Sequence, residues 1–316
     1  MTGDGSFSVD LVGLGLNATD TLISVAEFPL SGAKTTVRSL RVQPGGQVAT
    51  AVIACQRWGL RTRYIGKLGD DTAGTLHREA FANARVETQV TTVPNCSSAQ
   101  SHIVVDDRGE RTVLWHREPR LAIDPNELNR EWVVNARALL VDGCDTAAAT
   151  LAAKWAREVG IPVIADLDEL YPDVETLLEN VDYLIVSRDF PERFSSISDL
   201  QESLPFLQRH FKSRVAGATL GSNGVLAWDG KQLYYSAAYR VDAIDTTGAG
   251  DIFHAGFVYG LLQGWPVQRI LDFAGAAAAV NCTATGARGR IAPIKEIEAL
   301  MASDQRYPFA HDLRNP

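Results

Sequence analysis

The sequence DTTGAGDIFHAGF runs from Asp245 to Phe257 and is the most informative stretch of the chain. Gly248 and Gly250 flank Ala249 and allow the backbone to turn tightly and to approach a ligand closely. The apolar run that follows is typical of a buried helix, whose first turn offers unpaired amides and the positive end of the helix dipole. A loop and helix start of this kind suit the negative charge of a phosphate group in transfer.

Asp251 stands at the mouth of this predicted anion site, on the first turn of the helix. A carboxylate there can accept the proton of a hydroxyl group that attacks the terminal phosphorus of ATP. The competing interpretation is that Asp251 only caps a helix, and a lone Gly-Asp pair would favour it. The full string favours the catalytic role. His254, one turn further, is then expected to be a packed or nucleotide-adjacent side chain, because the aspartate already supplies the base.

The rest of the chain has the pattern of an α/β protein. Apolar strands alternate with helical stretches such as 147–159, which implies βαβ units and a mostly parallel sheet covered by helices. In the first half, residues 35–42 and 101–117 look like half-exposed strands, with a turn at 106–109, and suit a small sheet that stands off the main body. The remaining predicted elements are strands at 9–16, 62–68, 138–141, 162–165, 183–186 and 215–220, a hairpin around 229–230, and helices at 47–58, 72–84, 252–262 and 267–284.

Length and composition limit the classes of protein that fit. The 316 residues suit one large α/β domain, and the net charge of −8 argues against sequence-independent binding to nucleic acid. The first residues lack the pattern of a secretory signal and no apolar run is long enough to span a membrane, so neither segment is expected. Four cysteines lie far apart, and Cys55 and Cys282 sit in apolar, alanine-rich runs typical of buried thiols. A reduced, cytoplasmic protein is expected.

The stretch from Asp245 to Phe257 closely resembles the C-terminal signature of the ribokinase-like (PfkB) carbohydrate kinases. Residues 45–51 (GGQVATA) resemble the N-terminal signature of that family. The resemblance covers nearly the whole chain in matching order. The weaker matches are Gly15-Leu16-Asn17 with Asp20, Gly69-Asp70-Asp71, Thr219-Leu220-Gly221 and Gly286-Ala287.

The resemblance implies an αβα sandwich, with a mostly parallel sheet of about nine strands and a small β-sheet lid over the sugar site. It implies one kinase domain over residues 1–316, with lid strands drawn from about 17–44 and 97–120. It also implies ATP with Mg²⁺, a sugar-like acceptor and, in some members, a monovalent cation such as K⁺. The implied site residues are Asp251 as base, Gly248, Ala249 and Gly250 as anion hole, Asp20, Gly45, Gly46 and Thr50 for the acceptor, Thr219 and Gly221 along ATP, and Asp245 near the cation.

The chain departs from the family pattern at several positions. Thr50 stands where ribokinases commonly have an asparagine that touches the sugar, and one extra residue separates Asn17 from Asp20. Residues 187–190 (SRDF) replace the Asn-x-x-Glu motif linked to Mg²⁺, although ketohexokinase-like members also have serine there. The identity of the sugar and the residues that contact the metal are therefore left open. Asp142 and Asp145 either reach the sugar or serve as caps and turn residues.

Two other functions compete with a kinase. Residues 12–18 fit the GxGxxA dinucleotide pattern of an NAD-binding oxidoreductase, which requires a long helix directly after the glycines. Here Pro29 follows too soon for such a helix. A sugar or nucleotide sensor on the same fold is the second alternative, although a sensor needs no base such as Asp251. No P-loop or protein-kinase motif is present. Exposed edges of a small lid sheet invite pairing, so a homodimer through the lid is expected.

Overall fold

The computed structural model describes residues 7–108 and 111–308. Within these ranges the strands form one nine-stranded and one four-stranded sheet. In spatial order, the large sheet consists of β13 (Leu233–Ser236), β12 (Val225–Trp228), β11 (Val215–Thr219), β10 (Tyr183–Ser187), β9 (Val163–Leu167), β8 (Ala136–Asp142), β1 (Val9–Leu14), β4 (Thr62–Gly69) and β5 (Glu87–Val93).

The strands of the large sheet are parallel from β5 to β11, and β12 runs antiparallel to both of its neighbours, β11 and β13. The central residues of β1, β4 and β8 to β11 are buried and mostly apolar, as expected for strands covered on both faces. Because parallel strands end at the same edge, the residues after β1, β8, β9, β10 and β11 converge there, which is where such sheets bind ligands.

Helices cover both faces of the large sheet. One face carries α1 (Gln47–Arg57), α2 (Thr72–Ala84), α8 (Ala249–Leu262), α9 (Val267–Asn281) and α10 (Ile294–Ser303). The other carries α3 (Arg130–Val134), α4 (Thr146–Glu158), α5 (Val174–Leu178), α6 (Phe190–Ser195) and α7 (Leu200–Phe211). Short 3₁₀ turns lie at Pro119–Leu121, Pro125–Glu127 and Gly221–Asn223.

The small sheet, called the lid sheet below, has the order β3 (Ser39–Pro44), β2 (Thr19–Ser24), β6 (Gln100–Val105) and β7 (Arg111–His116). Cross-strand partners share a face, so the register defines which side chains accompany Asp20. We call this side the Asp20 face. Three successive rows on it are Gln43–Asp20–Ser101–Trp115, Arg41–Leu22–Ile103–Val113 and Ser39–Ser24–Val105–Arg111.

The ribokinase-like fold class predicted from the sequence is confirmed. The lid strands lie within residues 17–44 and 97–120, and the turn predicted at 106–109 includes Gly109, which lies outside the described residues. The first strand ends at Leu14, and a strand rather than a helix follows the glycines, so the dinucleotide pattern has no structural counterpart. Within residues 7–108 and 111–308, no helix combines the length and the apolar character needed to cross a membrane.

Two adjacent aspartates hold the segment before α2. Asp71 caps α2 by accepting a hydrogen bond from the Gly74 amide, and Asp70 accepts hydrogen bonds from the amides of Asn95 and Cys96. The sequence-based prediction missed β5 and α10 and gave no bounds for α3, α5, α6 and α7. The polar strand β5 lies at an edge of the sheet, where the alternation that marks a half-buried strand is absent.

Candidate active site

The turn before α8 is built around Gly248. Its backbone φ of 74° favours glycine, and a Cβ there would lie 2.3 Å from the Ala287 carbonyl oxygen. The Asp245 carboxylate fixes the turn by accepting hydrogen bonds from the amides of Thr247 (2.8 Å) and Gly286 (2.7 Å). Helix α8 therefore begins at the open edge of the sheet, which is a suitable place for an anion. Of the three predicted anion-hole residues, Ala249 donates its amide to the Thr246 carbonyl (3.2 Å), which leaves the amides of Gly248 and Gly250 for a ligand.

Asp251 lies on the first turn of α8 and is partly exposed. Burial raises the pKa of Asp251, and the neighbouring carboxylates Asp166 and Asp20 raise that pKa further. The charges of His254 and Arg288 act in the opposite direction and lower it. A carboxylate with a raised pKa in a cleft has the properties of a general base.

His254 packs beneath the turn and is almost fully buried. Its Nδ1 lies 2.8 Å from the Gly250 carbonyl oxygen, and its Nε2 lies 3.0 Å from that of Ile185. The Asp166 Oδ2 atom is 3.2 Å from His254 Nδ1 but has no hydrogen-bond partner among the described residues. The prediction that His254 is a packed side chain is confirmed.

The predicted acceptor residues lie together where the lid sheet meets α1. A Cβ on Gly45 would overlap the Asp20 carboxylate, so only glycine leaves room for this contact. Gly46 has a φ of 88° and sits against the backbone of residues 16–18. The Arg288 side chain joins the group by donating to the Gly45 carbonyl (3.0 Å) and the Thr50 hydroxyl (3.2 Å).

Asp20 is the buried carboxylate of this acceptor pocket, with 6% of its surface exposed. Burial raises the pKa of Asp20 to about 6, while Arg288 and a hydrogen bond from Ser101 lower that pKa. Gln43 and Trp115 share the row of Asp20 on the lid sheet, and Trp115 is 62% exposed. The pocket thus combines hydrogen-bonding groups with an exposed aromatic side chain.

A second cavity, of about 240 Å³, adjoins the start of α8. Thr219 and Gly221 line one side of it, and Ala249 and Gly250 line the end next to the anion site. The other lining side chains are mainly small and apolar, which suits the flat ring of a nucleobase. These small and apolar lining residues include Val225, Ala237, Phe253, Ala278, Ala279 and Cys282. We call this space the nucleotide cavity.

Asp142 and Asp145 have structural partners. The buried Asp142 carboxylate accepts hydrogen bonds from the amides of Leu16 (2.6 Å) and Cys144 (3.0 Å). Asp145 forms a two-point ion pair with Arg117 at 2.7 and 2.9 Å. Both aspartates therefore act as turn and pairing residues that hold the loops around the site.

Within the described part of the chain, no three His, Cys, Asp or Glu side chains form a cluster suited to a metal ion. Ser187, in the place of the family's Asn-x-x-Glu motif, donates to the Asp168 carbonyl (3.2 Å). The buried Oδ2 of Asp166 has no hydrogen-bond partner among the described residues, and the charge of Asp166 raises the pKa of Asp251.

Sequence reasoning named most of this pocket but missed Arg288, Asp166 and Ser101. Arg288 directly follows the Gly286-Ala287 match, so its position next to that motif was a usable signal. Asp166 follows an apolar strand predicted at 162–165, at the sheet edge where ligands bind. Ser101 becomes a candidate only when the register places it beside Asp20.

Comparisons with known proteins identify relatives of this chain. The model of the pfkB family of carbohydrate kinases matches residues 11–294. An ATP-dependent ribose-1-phosphate kinase from Halopiger xanaduensis is 30% identical, covering 90% of this chain and 95% of its own length. A 5-dehydro-2-deoxygluconokinase from Geobacillus thermodenitrificans is 24% identical, with coverages of 86% and 87%. A solved structure from Agrobacterium tumefaciens, assigned provisionally as a ribokinase, superimposes with a TM-score of 0.86 at 26% identity and covers 93% of this chain and 98% of its own.

Proposed function

This chain belongs to the pfkB family of carbohydrate kinases, and we propose that it transfers the terminal phosphoryl group of ATP to a hydroxyl group of a sugar or sugar-like acceptor. The position of Asp251 carries the proposal. It follows the Gly248–Gly250 turn directly, and its pKa responds to Asp20 and Arg288 of the acceptor pocket. The carboxylate thus lies between a site for an anion and a site for a sugar.

In the proposed reaction, the unprotonated Asp251 accepts the proton of the acceptor hydroxyl while that oxygen attacks the γ-phosphorus of ATP. The base of ATP occupies the nucleotide cavity between Thr219 and Gly221 on one side and α9 on the other. The amides of Gly248 and Gly250, together with the positive end of the α8 dipole, stabilise the negative charge of the phosphoryl group in transfer.

Arg288 acts both on the acceptor pocket and on the proposed base, Asp251. Its hydrogen bonds to Gly45 and Thr50 fix the guanidinium group, and its positive charge lowers the pKa values of Asp20 and Asp251. With this charge present, both carboxylates are ionised over a wider pH range. Asp20 can then accept hydrogen bonds from acceptor hydroxyl groups, and Asp251 can act as base.

Mg²⁺ is proposed as the ion that accompanies ATP. This ion keeps most of its water and phosphate ligands, so one or two carboxylates are enough to place it. The unpartnered Asp166 Oδ2 fits that role and lies near Asp251. When bound with ATP, Mg²⁺ neutralises part of the charge on the phosphate groups. A requirement for K⁺ near Asp245 stays a prediction, and turnover in K⁺ against Na⁺ tests it.

The acceptor class is open within this proposal. The names of the two relatives give ribose 1-phosphate and a dehydrodeoxygluconate as acceptors. Both belong in a panel with neutral sugars, ketoses, other sugar acids and nucleosides. ADP release from Mg-ATP is expected only when a suitable acceptor is present. Binding of ATP without ADP release across the whole panel would favour the sensor alternative.

We also propose that two copies associate through the lid sheet. Its edge strands β3 and β7 have no neighbour in the described chain, and Leu40, Val42 and Leu114 are more than half exposed on the face opposite Asp20. Sedimentation at micromolar concentration tests this, with Val42→Lys expected to shift a dimer to monomer. A monomer in the parent protein would refute it. The cytoplasmic location stays a prediction.

A further inference from the structure

The lid sheet carries six arginines in or next to its strands, and two of them differ from the others. Arg41 and Arg111 have no hydrogen-bond or ion-pair partner among the residues that the structure describes. The other four each pair with a carboxylate: Arg38 with Asp107, Arg108 with Asp106, Arg117 with Asp145 and Arg120 with Glu118. Both side chains are exposed, and their location in the fold is what distinguishes them from other exposed arginines.

Arg41 and Arg111 both lie on the Asp20 face of the lid sheet. They come from opposite edges, β3 and β7, and from adjacent rows of the register. Both line one cavity of about 380 Å³ between this face and residues 243–247. Two edge strands therefore direct their unpaired arginines into a single space, and the position of these arginines beside the acceptor pocket calls for a ligand-based explanation.

The cavity has an excess of positive charge. The carboxylate that lines it belongs to Asp245, and its two oxygens already accept backbone hydrogen bonds from Thr247 and Gly286. Ser24 and Ser39 add neutral donors to the lining. Two free guanidinium groups with nearby hydroxyls form a typical binding site for phosphate or carboxylate.

The cavity continues the acceptor pocket along the lid. The row of Arg41 lies two residues beyond the row of Asp20, about 7 Å along the strands, and the row of Arg111 lies about 7 Å further. An acceptor of five or six carbons held by Asp20 can present its far end to these side chains. The cavity shares Ala243 and Thr246 with the nucleotide cavity, whereas the register of the lid sheet connects it to Asp20, so the ATP affinity of variants distinguishes the two assignments.

We propose that Arg41 and Arg111 bind an anionic group, phosphate or carboxylate, on the acceptor, and that the physiological acceptor is an anionic sugar derivative. This inference rests on the proposed kinase function, because it assigns a substrate class to the same site. The two arginines select the charged acceptor over its neutral counterpart and hold the end remote from the reacting hydroxyl.

The test uses pairs of acceptors that differ in charge: ribose 1-phosphate with ribose, and gluconate with glucose. The parent protein is expected to favour the charged member of at least one pair by about 30-fold or more in kcat/KM, and the pair that shows it distinguishes phosphate from carboxylate. Arg41→Gln and Arg111→Gln should each lower kcat/KM for the charged acceptor roughly 30-fold more than for its neutral partner, which equals about 2 kcal/mol. Arg38→Gln is the matched control, because Arg38 is also a lid arginine but pairs with Asp107.

Three results would overturn the proposal. They are a parent protein without charge preference in either pair, an equal loss of preference in Arg38→Gln, and a weaker affinity for ATP, measured without acceptor, in the Arg41 and Arg111 variants. A weaker affinity for ATP would mean that the two arginines bind the phosphate groups of the nucleotide. Direct binding of ribose 1-phosphate and ribose without ATP gives a separate readout. If no acceptor supports ADP release, the kinase proposal fails, while weaker binding of the phosphate ester in the variants would still support the anion site.

Discussion

Substitution by alanine should lower the stability of the protein at Gly248 but not at Gly250. Gly248 has a φ of 74°, and an added Cβ would meet the backbone of Ala287 at 2.3–2.7 Å. The left-handed conformation costs a residue with a side chain about 1–2 kcal/mol. Forcing two backbone segments apart adds about 1–3 kcal/mol. Gly248→Ala is therefore expected to lower the free energy of unfolding by roughly 2–5 kcal/mol.

Gly250, two residues later, has open space on the side where a Cβ would project, with no heavy atom within 4 Å of that position. Within a helix, alanine is favoured over glycine by roughly 0.5–1 kcal/mol, so Gly250→Ala should leave the stability unchanged or raise it. Because Gly250 lines the nucleotide cavity at the anion site, its new methyl group should instead weaken ATP use. We expect kcat/KM for ATP to fall roughly tenfold, or about 1.4 kcal/mol.

Gly264→Ala separates the cost of the left-handed backbone conformation at Gly248 from the cost of the clash with Ala287. Gly264 ends the same helix with a φ of 71°, but nothing lies within 4 Å of an added Cβ. It should show only the conformational cost of about 1–2 kcal/mol. Urea unfolding of the three variants measures the free energies, and steady-state kinetics measures ATP use. The reasoning is refuted if Gly248→Ala is no less stable than Gly264→Ala, or if Gly250→Ala loses stability and keeps normal ATP kinetics.

Three further predictions test other parts of the site. Arg288→Met removes a positive charge that lowers the pKa of Asp251, so the acidic limb of the pH profile of kcat/KM should move to higher pH; an unmoved limb would contradict this link. Asp71→Ala removes the cap of α2 and should lower the unfolding free energy by about 1–3 kcal/mol with little change in kcat; a fully stable variant in urea would count against the cap. Gly275→Leu should fill the nucleotide cavity and weaken binding of a fluorescent ATP analogue; unchanged affinity would place the base elsewhere.

The fold could be predicted from the sequence because its signals are local. Apolar strands from Ala138 onward alternate with helical segments, and each corresponds to a strand of the large sheet. The start of α8 was predicted from its glycines and the apolar run that follows. Where the signal is weak the prediction failed, as at β5 (ETQVTTV), whose polar residues lie at the sheet edge.

The site could be predicted only in part, because its remaining members depend on register and on long-range contacts. Arg288 reaches Gly45 and Thr50 across more than 230 positions of sequence. Arg41 and Arg111 become neighbours of one cavity only after four strands pair in one register. The spacing of residues along the chain does not reveal the contacts of Arg288 or the cavity that Arg41 and Arg111 share.

The most direct test of the central claim is the turnover of Asp251→Asn with an acceptor found active in the panel. Asparagine preserves the shape of the side chain but cannot accept the proton, so kcat should fall by roughly 10²–10⁴-fold. The dissociation constant for ATP and the urea midpoint should stay close to those of the parent protein, because the substitution leaves the nucleotide cavity intact. Turnover near the parent rate in this variant would contradict the assignment of Asp251 as the base.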